Sequence, residues 1–259
     1  MEPDINRARD QYGRQAEYYT RSTVHATGET LGLVVEWAQP SPDQTALDIA
    51  TGTGFTAFAL APRLAYVVGY DLTAEMLGQA KVIRSQRALT NVGFVQGVAE
   101  TLPFGNNSFD IVVCRTAPHH FLSVDSFLAE SRRVVKRGGL MIVVDTSVPG
   151  DPVVDEWQNL VELMRDPSHV RNLSIREWQD LFKKHRLEIV DSSSAYRTPL
   201  EFWDWVERSG TPAGTVQELH DMFLGALPGI KDAFHIEERE GKIHFSWVVA
   251  AVAGRKIEY

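Results

Sequence analysis

Short apolar runs that alternate with longer amphipathic stretches constrain this chain more than any other feature. Residues 45–50, 66–70, 91–96, 109–114 and 140–145 are apolar almost throughout and read as strands. Between them, 55–64, 73–88 and 125–136 carry helical periodicity, the last with Phe127, Leu128, Ser131, Val134 and Val135 as its inner face. Arg137-Gly138-Gly139 is expected to end that helix, because glycine accepts the left-handed backbone of a C-cap. Strands that are apolar on both faces and separated by helices imply a parallel sheet covered on both sides. Right-handed crossovers then place any ligand at the C-terminal strand ends.

The flanks differ from this core. Residues 7–39 read as mostly helical, with Ala16 and Tyr19 starting an apolar face, until Pro40-Ser41-Pro42 stops the pattern. After Asp145 come a Trp-, Pro- and charge-rich stretch (149–172), a helix near 175–185 and a strand near 187–192. An irregular helical stretch (199–229) and a long final strand (243–253) follow. The simplest organisation is one domain over 1–259. It has a helical cap (1–40), a core (41–146) and lid insertions at 147–173 and 196–241. A formal charge of −8 argues against nonspecific binding to nucleic acid or an anionic membrane. The polar start and the lack of a long apolar run predict no secretory leader and no membrane insertion, hence a soluble, cytoplasmic protein. The single cysteine, Cys114, excludes an internal disulfide and reads as a small apolar strand residue.

The most informative local stretch is Leu47-Asp48-Ile49-Ala50-Thr51-Gly52-Thr53-Gly54-Phe55, a strand that ends in two glycines before a helix. Glycine turns the backbone sharply and admits a ligand where a Cβ would intrude. The same residues satisfy a dinucleotide fingerprint, so an NAD(P)-dependent oxidoreductase must be weighed. Asp48, inside the motif, serves a pyrophosphate poorly and favours a cationic ligand instead. Asp71 ends the second strand 17 positions after Gly54, where a carboxylate can accept from both hydroxyls of a ribose or cap the next helix.

Four ordered motifs extend this pattern. They are the Asp48–Gly54 turn, Gly69-Tyr70-Asp71-Leu72-Thr73 with Met76-Leu77, Gly97-Val98-Ala99-Glu100-Thr101-Leu102-Pro103-Phe104, and Ser108-Phe109-Asp110-Ile111-Val112. Together they resemble class I S-adenosylmethionine-dependent methyltransferases, nearest the ubiquinone/menaquinone-biosynthesis-like branch (methyltransferase type 11), closely over 40–146. The resemblance implies a doubly wound, Rossmann-like α/β sandwich. Its mostly parallel sheet would have seven strands, the last one antiparallel. It implies S-adenosyl-L-methionine as cofactor and S-adenosyl-L-homocysteine as product. Asp48, Ala50, Thr51, Gly52 and Gly54 would hold the methionine part, with Asp48 near its amino group. Asp71 would bind the ribose, Leu72 and Met76 would flank the adenine, and Val98, Ala99 and Glu100 would border its edge. Val98 departs from the pattern, since relatives commonly carry an Asp there that accepts from the adenine amino group. Tyr19 stands where relatives place a hydroxyl near the cofactor carboxylate, and Arg115 and Thr116 would line the cofactor through backbone atoms.

Chemistry is sought in Cys114-Arg115-Thr116-Ala117-Pro118-His119-His120-Phe121, which leaves the fourth strand. Histidine suits proton acceptance near neutral pH, and Asp145, ending the neighbouring strand, could orient one. Sugar O-methyltransferases of this family look similar here, which assigns the catalytic roles to His119 and Asp145 and leaves His120 as a structural residue bonded to backbone. No H-E-x-x-H or paired i,i+4 histidines occur, so no metal dependence is expected. Arg165, His169 and Arg171 could bind an anionic acceptor group or form a solvated turn of internal ion pairs. Trp157, Phe202, Trp203 and Trp205 could roof a pocket. Methyl transfer to a small-molecule acceptor follows, O- favoured over C- or N-, with a catalytically silent cofactor-binding protein as a further alternative.

Overall fold

A computed structural model describes residues 4–20 and 28–257; for residues 17–20 it describes the backbone alone. His25 lies outside the described residues, and so does the side chain of Tyr19. The apolar runs form β1 (Thr45–Ile49), β2 (Tyr66–Asp71), β3 (Val92–Gln96), β4 (Phe109–Arg115) and β5 (Val135–Val148). These five are parallel, in the order β3-β2-β1-β4-β5. At the edge, β9 (Lys242–Lys256) runs antiparallel to both β5 and β7 (Leu187–Glu201). The expected seven-stranded path is therefore present, with the last strand reversed. Two short strands lie off it, β6 (Leu173–Ser174) on β5 and β8 (Glu237–Arg239) on β9.

Each central strand alternates between two cores. Ala46, Val67, Ile111, Val113 and Ile142 pack under α2 (Glu29–Ala38), α3 (Phe55–Leu60) and α4 (Ala74–Gln86). Leu47, Ile49, Val112, Cys114 and Met141 face α5 (Val124–Val134) and α7 (Ile175–Lys184) on the other side. Burial on both faces is what lets these strands be uniformly apolar. A third cluster joins α6 (Pro152–Arg165), α8 (Phe202–Ser209), α9 (Ala213–Leu224) and α10 (Pro228–Phe234) to Ile243, Phe245 and Trp247 of β9. The N-terminal α1 (Ile5–Thr20) lies along α4 and α8. Among the described residues no helix is long and apolar enough to cross a membrane.

Two local expectations need correction. The helix with the expected inner face ends at Val134, before Gly138 and Gly139, because Val135 already pairs with Phe109. The glycines lie in the register shift that follows. Gly138 has φ +71°, and a Cβ on Gly139 would stand 2.8 Å from the Asp110 carbonyl oxygen. They make a bulge rather than a cap. Likewise β7 does not stop near Ser192 but runs to Glu201, through two register shifts at a sheet edge where polar side chains meet water.

The sheet order reverses between β1 and β4, and a crevice opens above that point. One wall of it depends on Tyr70, which is buried and whose hydroxyl stands 3.2 Å from the carbonyl oxygens of both Val98 and Thr101. A Cβ on Gly97 would fall 1.9 Å from that hydroxyl. Gly97→Ala is therefore expected to destabilise the fold by about 1–3 kcal/mol through overpacking, seen as a lower Tm in calorimetry. An unchanged Tm would mean that Tyr70 can swing aside without loss.

Candidate active site

The turn after β1 is built from backbone geometry that few residues accept. Ala50 and Gly52 have φ +55° and +54°, and a Cβ on Gly52 would meet nothing within 4 Å. Gly54 has φ +92°, and a Cβ there would press on the Phe58 ring at 2.7 Å. Ala50, Thr51 and Gly52 line a cavity over the strand ends, while Asp48 and Gly54 stand behind them. The Asp48 carboxylate accepts from the Thr51 hydroxyl (2.5 Å) and the Ala57 N–H (3.0 Å). Burial pushes its pKa up to about 7, against the pull of Thr51, Arg115 and the Ala57 N–H. Asp48 thus braces the turn from behind the residues that line the cavity.

Asp71 closes the next strand with one oxygen on the Gly52 N–H and the other on the Thr73 N–H, both at 2.8 Å. Burial raises its pKa, and those two N–H groups oppose the rise. Asp71 lines the cavity, and a carboxylate oxygen that accepts one N–H keeps capacity for a hydroxyl. Leu72, Met76, Val98 and Ala99 line the same end and make it an apolar slot. Glu100 lines it too, but its carboxylate already accepts from the N–H groups of Leu122 (2.9 Å) and Ser123 (3.4 Å). The Val98 carbonyl is taken up by Tyr70. Arg115 contributes its side chain as well as backbone, donating to Thr56 (3.0 Å) and Thr30 (3.4 Å) of α2. Thr116 sits at φ +58° and donates its N–H to Val144.

Beyond β4 the chain turns through Pro118–His120 and brings His119 onto the end of β5. Its Nδ1 lies 2.6 Å from Asp145 Oδ1, and its N–H donates to Asp145 Oδ2 at 2.9 Å. Nε2 has no hydrogen-bond partner among the described residues. Burial disfavours charge on His119, but the Asp145 carboxylate outweighs it, and the pKa is raised. Next to it, burial and the His119 charge lower the pKa of His120 to about 3. The expectation that His120 is bonded to backbone is corrected. Its ring links two side chains, the Tyr12 hydroxyl of α1 through Nε2 and the Ser168 hydroxyl at 3.1 Å from Nδ1. Because Ser168 donates to Asp166 (2.6 Å), it must accept from His120, so Nδ1 carries the proton and Nε2 accepts from Tyr12.

The segment after α6 does not form one anion site. Arg171 points outward to Glu177, and His169 is buried behind the wall on Asn159. Arg165 does line the cavity, held by Glu162 at 3.0 Å and by the Trp205 carbonyl at 2.8 Å. Of the four suggested aromatics, Trp205 lines the cavity, Trp157 and Phe202 belong to the third core cluster, and Trp203 is exposed. Sequence reasoning missed Tyr12, Asn172, Arg208 and Trp247 on the wall. Nothing local marks them, since each arrives on a different element. Among the described residues no group of three or more His, Cys, Asp or Glu side chains could hold a metal ion.

The family described as a methyltransferase domain matches residues 47–143, the segment that carries the turn, Asp71 and β4. YcgJ of Bacillus subtilis, described as an uncharacterized methyltransferase, is 36% identical over 93% of this chain and 95% of its own. The chain belongs to the class I S-adenosylmethionine-dependent methyltransferases. The solved structure of YcgJ agrees at a TM-score of 0.83, covering 89% of this chain and 99% of that one at 35% identity. A structure from Bacillus halodurans agrees at 0.85, with 32% identity and 89% and 100% coverage. The ubiquinone/menaquinone biosynthesis C-methyltransferase UbiE of Brucella canis is 37% identical over 48% of this chain and half of its own length. Membership makes S-adenosylmethionine the cofactor and sets aside the oxidoreductase reading of the same glycines. The cavity suits that molecule. It combines a turn open at Gly52, a buried carboxylate with acceptor capacity and an apolar slot.

The Asp48 carboxyl ties this geometry to a measurable pH dependence. With a folded pKa near 7 against about 3.9 unfolded, it favours the fold below the unfolded value and loses that contribution as pH rises towards 7. Asp48→Asn should therefore gain stability relative to the parent between pH 4 and pH 7. Parallel denaturant titrations without cofactor test this, and a constant difference across that range would refute it.

Proposed function

We propose that this enzyme methylates a hydroxyl group of a small molecule, with His119 as the base and Asp145 as its orienting partner. The observation that carries the proposal is the 2.6 Å contact between His119 Nδ1 and Asp145 Oδ1 on a residue that lines the cavity, with no hydrogen-bond partner on Nε2 among the described residues. Bound S-adenosylmethionine supplies an electrophilic methyl group on a sulfonium, displaced in line. The protein's part is to align the acceptor, exclude water and accept its proton. As the acceptor oxygen attacks, its proton passes to His119 Nε2, and the imidazolium formed is stabilised by Asp145.

On the cofactor side, Ala50, Thr51, Gly52, Arg115 and Thr116 would hold the methionine part, with Asp48 and Gly54 shaping the turn from behind. Asp71 would take the ribose hydroxyls, Leu72 and Met76 the adenine faces, and Val98, Ala99 and Glu100 its edge. Tyr19 remains a proposal from the sequence for the cofactor carboxylate. A second reading, C- or N-methylation with His119 as a structural residue, is favoured by one observation. Asp145 also accepts the His119 backbone N–H, as a turn-bracing carboxylate does.

Calorimetry and kinetics separate these readings. Asp71→Ala should weaken S-adenosylhomocysteine binding by about 1–3 kcal/mol, the cost of unsatisfied buried polar partners. Equal affinity would remove Asp71 from the cofactor site. With a hydroxylated acceptor, His119→Ala should lower kcat by about 10²–10⁴-fold while S-adenosylhomocysteine affinity holds. The base must be neutral to act, so kcat/KM should rise with pH through a pKa above the ordinary histidine value, and Asp145→Asn should move that limb down. A His119→Ala enzyme as fast as the parent would favour the second reading, and no transfer to any acceptor would favour a silent cofactor-binding protein.

A further inference from the structure

The end of the cavity away from the glycine turn is formed by α8, β7 and β9, with Leu200, Trp205, Trp247 and Val249 as an apolar, largely aromatic surface. Arg208 enters this surface from the last turn of α8 and is only 8% exposed. Its Nε is taken up by Asp204, at 3.2 Å from the carboxylate, on the solvent side of the helix. Its two terminal nitrogens have no hydrogen-bond partner among the described residues. A guanidinium that is nine-tenths buried with four of its five N–H donors unused is costly unless something arrives to accept from them. Around the same cavity, the Asn172 amide and the indole N–H groups of Trp205 and Trp247 have no hydrogen-bond partner among the described residues. Donors outnumber acceptors there.

The charges facing this end do not cancel it. Glu162 lines the cavity but is paired with Arg165, and Asp204 is half exposed and screened by water. The cofactor has its own cation at the opposite end, where Arg115 reaches Thr30 and Thr56 beside the glycine turn. Planar guanidinium matches planar carboxylate through two parallel N–H bonds, and flat apolar surfaces beside it suit an aromatic body.

We propose that Arg208 is the specificity-determining residue for a carboxylate on the methyl acceptor, so that the substrate is a hydroxylated aromatic acid. This rests on the reading that the cavity takes an acceptor beside the cofactor, and it needs no particular base. The ring lies along Trp205 and Trp247, and its carboxylate accepts from the terminal nitrogens of Arg208.

The test is binding without turnover. Protein saturated with S-adenosylhomocysteine is titrated with hydroxybenzoic, hydroxycinnamic and hydroxynaphthoic acids and with the matching carboxamides. At least one acid should bind about tenfold or more tightly than its amide. Arg208→Gln should erase that preference, and Arg208→Lys should keep part of it. Unchanged S-adenosylhomocysteine affinity shows that both variants are folded. The proposal is overturned if no acid outbinds its amide, or if the preference survives in Arg208→Gln. It is also overturned if Arg208→Gln weakens S-adenosylhomocysteine itself, which would make the cofactor's own carboxylate the anion. Failure of the His119 base would appear only in methyl transfer and leave these affinities untouched.

Discussion

Two buried carboxylates hold the turn on which the cavity is built. Asp48 gathers the Thr51 hydroxyl and the Ala57 N–H from beneath, and Asp71 takes the Gly52 N–H from the neighbouring strand. Together they pin a loop whose backbone passes through left-handed conformations at Ala50 and Gly52. Such conformations persist only where surrounding contacts over-determine them. Both carboxyls have raised pKa values because burial disfavours their charge. A cationic ligand above the turn would offset that penalty.

Across the crevice, two adjacent histidines are driven apart in acidity. His119 gains a carboxylate and is raised; His120, buried beside it, is lowered. Paired titratable groups whose environments separate their pKa values can divide labour at one site. His120 stays neutral and joins α1 to the segment after α6 through Tyr12 and Ser168. The His119 carbonyl accepts from the N–H groups of Val170 and Arg171, which fastens that segment to the same turn. The residues that would do chemistry are therefore held by the same contacts that close the site.

Much of the site is legible in the amino-acid sequence. Strand and glycine turn are adjacent along the chain, and Asp71 ends the next strand, so each motif states its own position once the sheet is parallel. His119 and Asp145 are legible for a related reason. His119 follows β4 and Asp145 lies near the C-terminal end of neighbouring β5, and strand register brings them together. The misplaced glycine cap shows the limit of local rules. Gly138 and Gly139 carry a cap's chemistry, but pairing between Phe109 and Val135 ends the helix earlier.

The sequence alone determined the parallel core and its ligand-bearing edge, because these follow from periodicity and from backbone needs within a few residues; the cofactor class followed from the resemblance of four ordered motifs to one family. Only the tertiary structure decided what the far wall of the cavity is made of. Tyr12 meets His120 across 108 residues, and Arg208 joins Trp247 on one wall from different elements. Long connections with no repeating pattern set those meetings. The same connections moved Arg171 to the surface and His169 behind the wall, although in sequence they sit beside the site. Packing of the third core cluster against β9, rather than any local preference, settled which side chains face the far end of the cavity.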